Sequence, residues 1–284
     1  MGKLITEVDS SSQKKAYQMR KKKIVWAIVI ALLCLAPFML DVFSWGPSPS
    51  DYYTDAKVIS LIKAARRGKV KTIDRLVAEG VDVNAKGKDD ITPLFFALEA
   101  RNKAGFLRLL EHKANPNLPN SLSGESVISI AAKIEDDSSW LKMVLEHGGN
   151  PNTPDMVDSM EQFRNETPIF RALWSRNVEN VELLIKAGAD LNHQTEFGET
   201  PLMYAASFNW YDHVYRFLEA GADWTIKNKR NQDLAFSCFM SPARSSKKFP
   251  ENTRSYEKVL EFLREKGVNL EAAKAEADKH MGRK

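Results

Sequence analysis

The sequence predicts an all-α stack of helix–turn–helix units behind one membrane-spanning helix. Three observations carry that prediction: a turn phrase that recurs along most of the chain, a helix-start phrase that recurs in fixed phase with it, and one uncharged apolar run near the N-terminus.

The apolar run comes first. Ile24 to Leu40, IVWAIVIALLCLAPFML, contains no charged residue. As a helix it spans about 26 Å, close to the thickness of a hydrocarbon core. Asp41 ends it, and Phe43 and Trp45 follow at the level where aromatic rings favour the membrane interface. A cleaved leader needs small residues before its cut, and no A-x-A site follows the run. A lipoprotein needs a small residue before the acylated cysteine, and Leu33 precedes Cys34. A retained signal anchor over 24–43 fits best.

Charge placement orients that anchor. Residues 1–23 hold seven basic and two acidic side chains, including the run Arg20-Lys21-Lys22-Lys23. The whole chain has 41 basic and 37 acidic residues, so its body is close to neutral at −1. Basic residues next to a span stay on the cytoplasmic side. The expected arrangement is a basic cytoplasmic arm (1–23) on an inner-membrane anchor (24–43), then a linker (44–54) and a folded body (55–270). A tail (271–284) ends the chain. The body then lies in the periplasm of a bacterium, or in a lumen or outside the cell of a eukaryote. A near-neutral body carries no basic stripe for nucleic acid, so no nucleic-acid partner is expected.

The body repeats itself. Gly188-Ala189-Asp190-Leu191-Asn192 returns as Gly221-Ala222-Asp223-Trp224-Thr225. Earlier forms are Gly80-Val81-Asp82-Val83-Asn84, Lys113-Ala114-Asn115-Pro116-Asn117 and Gly148-Gly149-Asn150-Pro151-Asn152, and a later one is Gly267-Val268-Asn269-Leu270. Each follows an apolar helical run. Glycine suits the left-handed residue that stops a helix, and Asp or Asn suits the turn after it. The second phrase is Thr-Pro plus an apolar residue with an alanine three positions on: Thr92-Pro93-Leu94 with Ala97, Thr167-Pro168-Ile169 with Ala172, and Thr200-Pro201-Leu202 with Ala205. Ser126-Val127-Ile128 with Ala131 is a degraded copy. Threonine caps a helix start, and proline in the first turn loses no hydrogen bond.

These two phrases resemble the ankyrin repeat, a β-turn and two helices in about 33 residues. The resemblance covers roughly residues 55–270, about six units. It implies an ankyrin-repeat solenoid with β-turn fingers, in which each unit buries its apolar face against the next. Departures are visible. The family's histidine after Thr-Pro-Leu is replaced by Phe95, Phe170 or Met203, and the unit after Asn231 lacks Thr-Pro and has extra residues around 241–252.

No catalytic constellation is present in the sequence. The histidines lack metal-site spacing, and there is no Gly-rich phosphate loop and no Cys-x-x-Cys. His112 and His147 share the next-to-last slot of a second helix, where they can meet helix C-terminal carbonyls. Cys238 aligns with Ala205 and reads as a small core filler, and pairs such as Asp89-Asp90 and Asp136-Asp137 read as solvated loop charges. No catalytic residue, metal ligand or cofactor is therefore assigned, and the chain is not expected to be an enzyme.

The resemblance implies a protein partner held on the concave face, by fingers and first helices. The two positions after the second alanine of each first helix fall there: Arg66/Arg67, Glu99/Ala100, Lys133/Ile134, Trp174/Ser175 and Ser207/Phe208. Ile134, Trp174 and Phe208 are the large apolar members, and Phe197 joins them from a finger. The expected function is a membrane-tethered protein-interaction module with partner-binding residues Ile134, Trp174, Phe208 and Phe197. An immunity protein that neutralises a secreted toxin or effector is one version. An envelope scaffold or a stress-protective ankyrin protein of the peroxide-resistance type is the alternative.

Overall fold

The computed structural model describes residues 48–156, 165–240 and 250–282. The basic arm and the apolar run assigned to the anchor lie outside these residues. Among the described residues no helix is long and apolar enough to cross a membrane.

The short α1 (Pro49–Tyr52) precedes six helix pairs. They are α2 (Ala56–Arg66) with α3 (Val70–Ala78), α4 (Pro93–Glu99) with α5 (Lys103–Glu111), and α6 (Val127–Ala132) with α7 (Ser139–Glu146). Next come α8 (Pro168–Ser175) with α9 (Val178–Lys186), α10 (Pro201–Ser207) with α11 (Tyr211–Glu219), and α12 (Leu234–Met240) with α13 (Pro250–Glu265). The last helix is α14 (Leu270–His280). Among the described residues there is no strand, only an isolated antiparallel bridge between Pro119 and Ser126.

The helix-start phrase works mainly through proline. Pro93, Pro168 and Pro201 occupy the first turns of α4, α8 and α10, where a missing N–H breaks no helical bond. Thr200 accepts the Met203 N–H and Ser126 accepts the Ser129 N–H, but Thr92 and Thr167 make no side-chain cap. The turn phrase works through backbone conformation and side-chain amides. Gly188 and Gly221 stop their helices at φ +83° and +86°. Lys113 takes the same slot at φ +68°, against the preference of a residue with a Cβ.

Asparagines stitch the units together. Asn84 accepts the Asn115 N–H at 2.7 Å, Asn117 accepts the Asn150 N–H at 2.7 Å, and Asn152 accepts the Asp190 N–H at 2.7 Å. Asn192 does the same for the Asp223 N–H at 2.8 Å. The first three amides also donate onward, to the carbonyls of Lys113, Gly148 and Gly188. At the next turn Thr225 is too short to reach across and donates instead to Asp223 in its own turn. The chain departs from the repeat from that point: α13 has 16 residues, about twice the length of the second helices before it.

The core runs through all six pairs. Phe96, Phe106, Trp140, Phe170, Tyr211 and Phe217 are its largest buried side chains. Gly105 marks the tightest contact between the first two units. A Cβ there would stand 1.9 Å from the Ala65 carbonyl oxygen, so no other residue fits without moving backbone. Cys238 is fully buried, and burial pushes its thiol up to about 12, consistent with a core filler.

Both edges of the repeat domain differ from the sequence expectation. Within the segment assigned to a linker, Pro49 and Tyr53 are buried, and the Tyr53 hydroxyl donates to the carbonyls of Ala85 (2.9 Å) and Ile91. The segment assigned to a tail contributes most of α14, which packs against α12 through residues including the buried Ala277. Leu270 and Ala277 supply the apolar side that a terminal unit needs in order to cover the last open face.

Candidate protein-binding surface

Between consecutive units the chain makes a finger, and the fingers lie side by side. The Ser121 N–H donates to the Asp89 carbonyl (2.9 Å), the Met156 N–H to Gly124 (2.8 Å), and the Lys229 N–H to Phe197 (3.0 Å). The Asn165 side chain donates to the Gln194 carbonyl at 3.2 Å. Asp89 and Asp90, expected as solvated charges, take part in this row: Ser121 also hydrogen-bonds the Asp90 carboxylate.

All five large apolar side chains that the described residues expose fall on fingers or at the ends of first helices. They are Leu122 (68% exposed), Met156 (67%) and Phe197 (43%) on fingers, with Trp174 (38%) and Phe208 (43%) on α8 and the turn after α10. Scattered exposed apolar residues are ordinary, but confinement to one side of the stack is the pattern of an interface.

Trp174 and Phe208 are brought together, with ring centroids 5.2 Å apart. Two aromatics that the sequence reading did not single out complete the cluster. Tyr204 lies 6.0 Å from Trp174 and 5.1 Å from Phe208, and Trp210 stacks on Phe208 at 4.9 Å with planes 18° apart. Trp210 does have a sequence signal. The residue before a second helix is Asn102 or Asn177 in other units, and each caps its helix. Trp210 cannot cap, so Asn252 from α13 accepts the Tyr211 N–H instead and the indole is left to stack. Trp174 and Phe208 are the exposed rings of the cluster, Trp210 is half-buried and Tyr204 is buried beneath them.

Ile134 does not join this patch. It is 7% exposed, because the next unit covers its turn. The Asn180 side chain donates to the carbonyls of Ala132 and Ile134, and Asn177 donates to Ile134 and Glu135. Its aligned partner Ser175 is buried as well, whereas Lys133, one residue earlier, is exposed. The second of the two slots therefore points into the stack in these two units.

Beneath the patch lies a buried charge cluster at the base of the finger before α8. Its two arms pair through the Asp155 N–H to the Glu166 carbonyl (2.7 Å) and the Asn165 N–H to the Asp155 carbonyl (3.2 Å). Arg171 reaches both arms: Nε to Asp155 at 2.7 Å and Nη1 to Glu166 at 3.3 Å. Its Nε also lies 3.6 Å from Glu125, which Lys133 holds at 2.7 Å. Glu166 is fully buried and neither carboxylate oxygen has a hydrogen-bond partner. Burial outweighs the attraction of Arg171 and raises this carboxyl to about 7, with Asp155, Glu125 and Glu199 adding repulsion.

The histidines divide. His147 Nδ1 meets the Met143 carbonyl at 2.8 Å, as a helix-end role requires. His112, in the same slot, meets Asp74 at 2.8 Å, on a helix of the preceding unit. Among the described residues no group of three or more His, Cys, Asp or Glu side chains is arranged to hold a metal ion.

Comparison with known proteins agrees with this architecture. A family model described as ankyrin repeats (3 copies) matches residues 128–228. The mitochondrial disaggregase of Bos taurus is 30% identical over 181 residues, which is 64% of this chain and 24% of that protein. An ankyrin repeat protein of Rickettsia bellii is 30% identical over 176 residues, 56% of this chain and 45% of that one. This chain thus spans about a quarter of the length of the first relative and less than half of the second. The crystal structure of the human ASB11 ankyrin repeat domain superposes with a TM-score of 0.50 at 22% identity, covering 69% of this chain and 82% of that one, a likeness of fold. Residues 128–228 thus carry ankyrin repeats, and the stacked helix pairs on either side continue the same architecture. Ankyrin repeats indicate a protein–protein interaction module.

Proposed function

We propose that this chain is a single-pass, membrane-tethered interaction module that holds a partner protein on its finger side, with Trp174, Phe208 and Phe197 as apolar anchors. The observation that carries the reading is the exposed aromatic face formed where Trp174, Phe208 and Trp210 converge. Aromatic side chains of this kind supply most of the energy at protein interfaces. Phe208→Ala removes a half-exposed ring with modest effect on folding. It is expected to weaken partner binding by on the order of 2 kcal/mol. Undiminished binding by Phe208→Ala together with Trp174→Ala would reject the patch.

The tether rests on the sequence: an uncharged run from Ile24 to Leu40 behind the basic cluster Arg20–Lys23. On this reading the repeats face the periplasm or its equivalent. A reporter fused after Lys284 then behaves as non-cytoplasmic, and a cytoplasmically active fusion contradicts the topology. A scaffold tethered at a membrane surface suits a secreted toxin or effector as its partner. An effector gene beside this one supports that role, and a redox or envelope-assembly operon supports a stress-protective or scaffolding role.

A further inference from the structure

Three fingers meet around the buried Arg171 cluster. The two arms of the finger before α8 pair with each other through the backbones of Asp155, Asn165 and Glu166. One arm is tied to the preceding finger by the Met156 N–H on the Gly124 carbonyl (2.8 Å). The other is tied to the following finger by the Asn165 side chain on the Gln194 carbonyl (3.2 Å) and by His193 Nε2, 2.6 Å from the Asn165 carbonyl. Among the described residues, the cluster at this joint sets three carboxylates, Glu125, Asp155 and Glu166, against two cations, Arg171 and Lys133. That count leaves one negative charge over in a buried place unless one carboxyl keeps its proton. The proton falls to Glu166. Asp155 accepts Arg171 Nε at 2.7 Å and Glu125 accepts Lys133 Nζ at 2.7 Å, whereas the fully buried Glu166 stands 3.3 Å from Arg171 with neither oxygen hydrogen-bonded. A buried charge without hydrogen bonds is costly, so ionisation of Glu166 works against the closed arrangement that buries it.

We propose that this cluster is a proton-operated clamp: with Glu166 protonated the arms stay closed on each other and on the neighbouring fingers, and loss of that proton loosens the base of the finger. The groups facing Glu166 are Asp155 on its own finger, Arg171 on α8, Glu125 and Lys133 from the unit before, and Glu199, Tyr204 and His193 from the unit after. Asp155, Glu125 and Glu199 repel the ionised form and Arg171 attracts it, and burial raises the carboxyl to about 7 in the closed arrangement. In the opened arms the carboxyl meets water and returns toward its ordinary value of 4.5. Opening therefore becomes easier as pH rises from the lower value to the upper one, and levels off above it. The device makes the order of the finger row depend on pH near neutrality, whatever partner the fingers hold.

The test is amide hydrogen exchange of the full-length chain in a neutral detergent, read as protection factors, which remove the intrinsic pH dependence of exchange. The reporters are the Asp155 and Asn165 amides, which pair the arms, with the Gly87 amide of the first finger, bonded to the Ile91 carbonyl at 2.9 Å, as control. Protection at Asp155 and Asn165 is expected to fall by about tenfold or more between about pH 5 and pH 8, while Gly87 stays level. In Glu166→Gln the side chain stays neutral, and protection at both amides is expected to hold across the range. His193 remains in that variant, so a fall that persists there belongs to the histidine and overturns the proposal. Glu125→Gln leaves the arms untouched and removes one repelling charge, so it is expected to move the midpoint of the fall to lower pH. Level protection in the wild type, an equal fall at Gly87, or an unmoved midpoint in Glu125→Gln also overturns the clamp.

Discussion

The Asn152 side chain spans the joint between two units: its oxygen accepts the Asp190 N–H at 2.7 Å, and its nitrogen donates to the Gly188 carbonyl at 3.1 Å. One side chain thus satisfies a donor and an acceptor on a neighbouring turn while its own turn is closed by Asn150. In a stacked fold, stability comes from units and from the interfaces between them. Asn152→Ala loses both bonds at one interface and should lower stability by about 1 kcal/mol. Chemical denaturation checks this, and an unchanged midpoint would mean that water replaces the amide at no cost.

The helix-stop slot makes opposite predictions at two places. Gly188 has open space where a Cβ would stand but sits at φ +83°, so Gly188→Val is penalised by backbone conformation and not by a clash. A loss of about 1 kcal/mol or more is expected in thermal unfolding. Lys113 already sits at φ +68°, and Lys113→Gly should stabilise by about 0.5 kcal/mol or more through relief of that conformation. Equal effects of the same sign at both positions would show that φ does not govern the slot.

Glu166 gives a pH signature. Its carboxyl is raised in the folded state to about 7 from the ordinary glutamate value of 4.5. A raised acid favours the folded state most below its unfolded pKa, and that contribution is lost as pH rises through the folded value. Wild-type stability relative to Glu166→Gln should therefore fall between about pH 5 and pH 8, by on the order of 2 kcal/mol. Parallel stability–pH curves for the two proteins would show that Glu166 titrates normally.

Much of the fold was legible because its phrases encode backbone demands. A left-handed stop, an Asx turn and a proline in a first helical turn each need particular residues, so Gly-Ala-Asp-x-Asn and Thr-Pro-Leu recur wherever those demands recur. The surface was less legible because it depends on neighbours. Ile134 and Phe208 occupy the same aligned slot, yet Asn177 and Asn180 cover the turn of the first while Trp210 stacks on the second. His112 and His147 likewise share a slot, and only the presence of Asp74 on the preceding unit draws His112 away from its own helix end. Tyr204 occupies a variable position inside an intact Thr-Pro-Leu phrase, and Trp210 stands where two other units carry a capping asparagine, so the repeat phrases mark neither ring. The buried group around Arg171 joins residues from two units and both arms of one finger, which sequence spacing alone does not bring together.

The central claim, that a protein partner sits on the aromatic face, is tested most directly by photo-crosslinking in living cells. A benzoylphenylalanine placed at 208, at 174 or at 142 samples the patch twice and, through the exposed Lys142 on α7, a second-helix surface once. The account predicts one and the same protein adduct from positions 208 and 174 and none from 142. An adduct from 142 with none from 208 and 174, or equal adducts from all three, would contradict it.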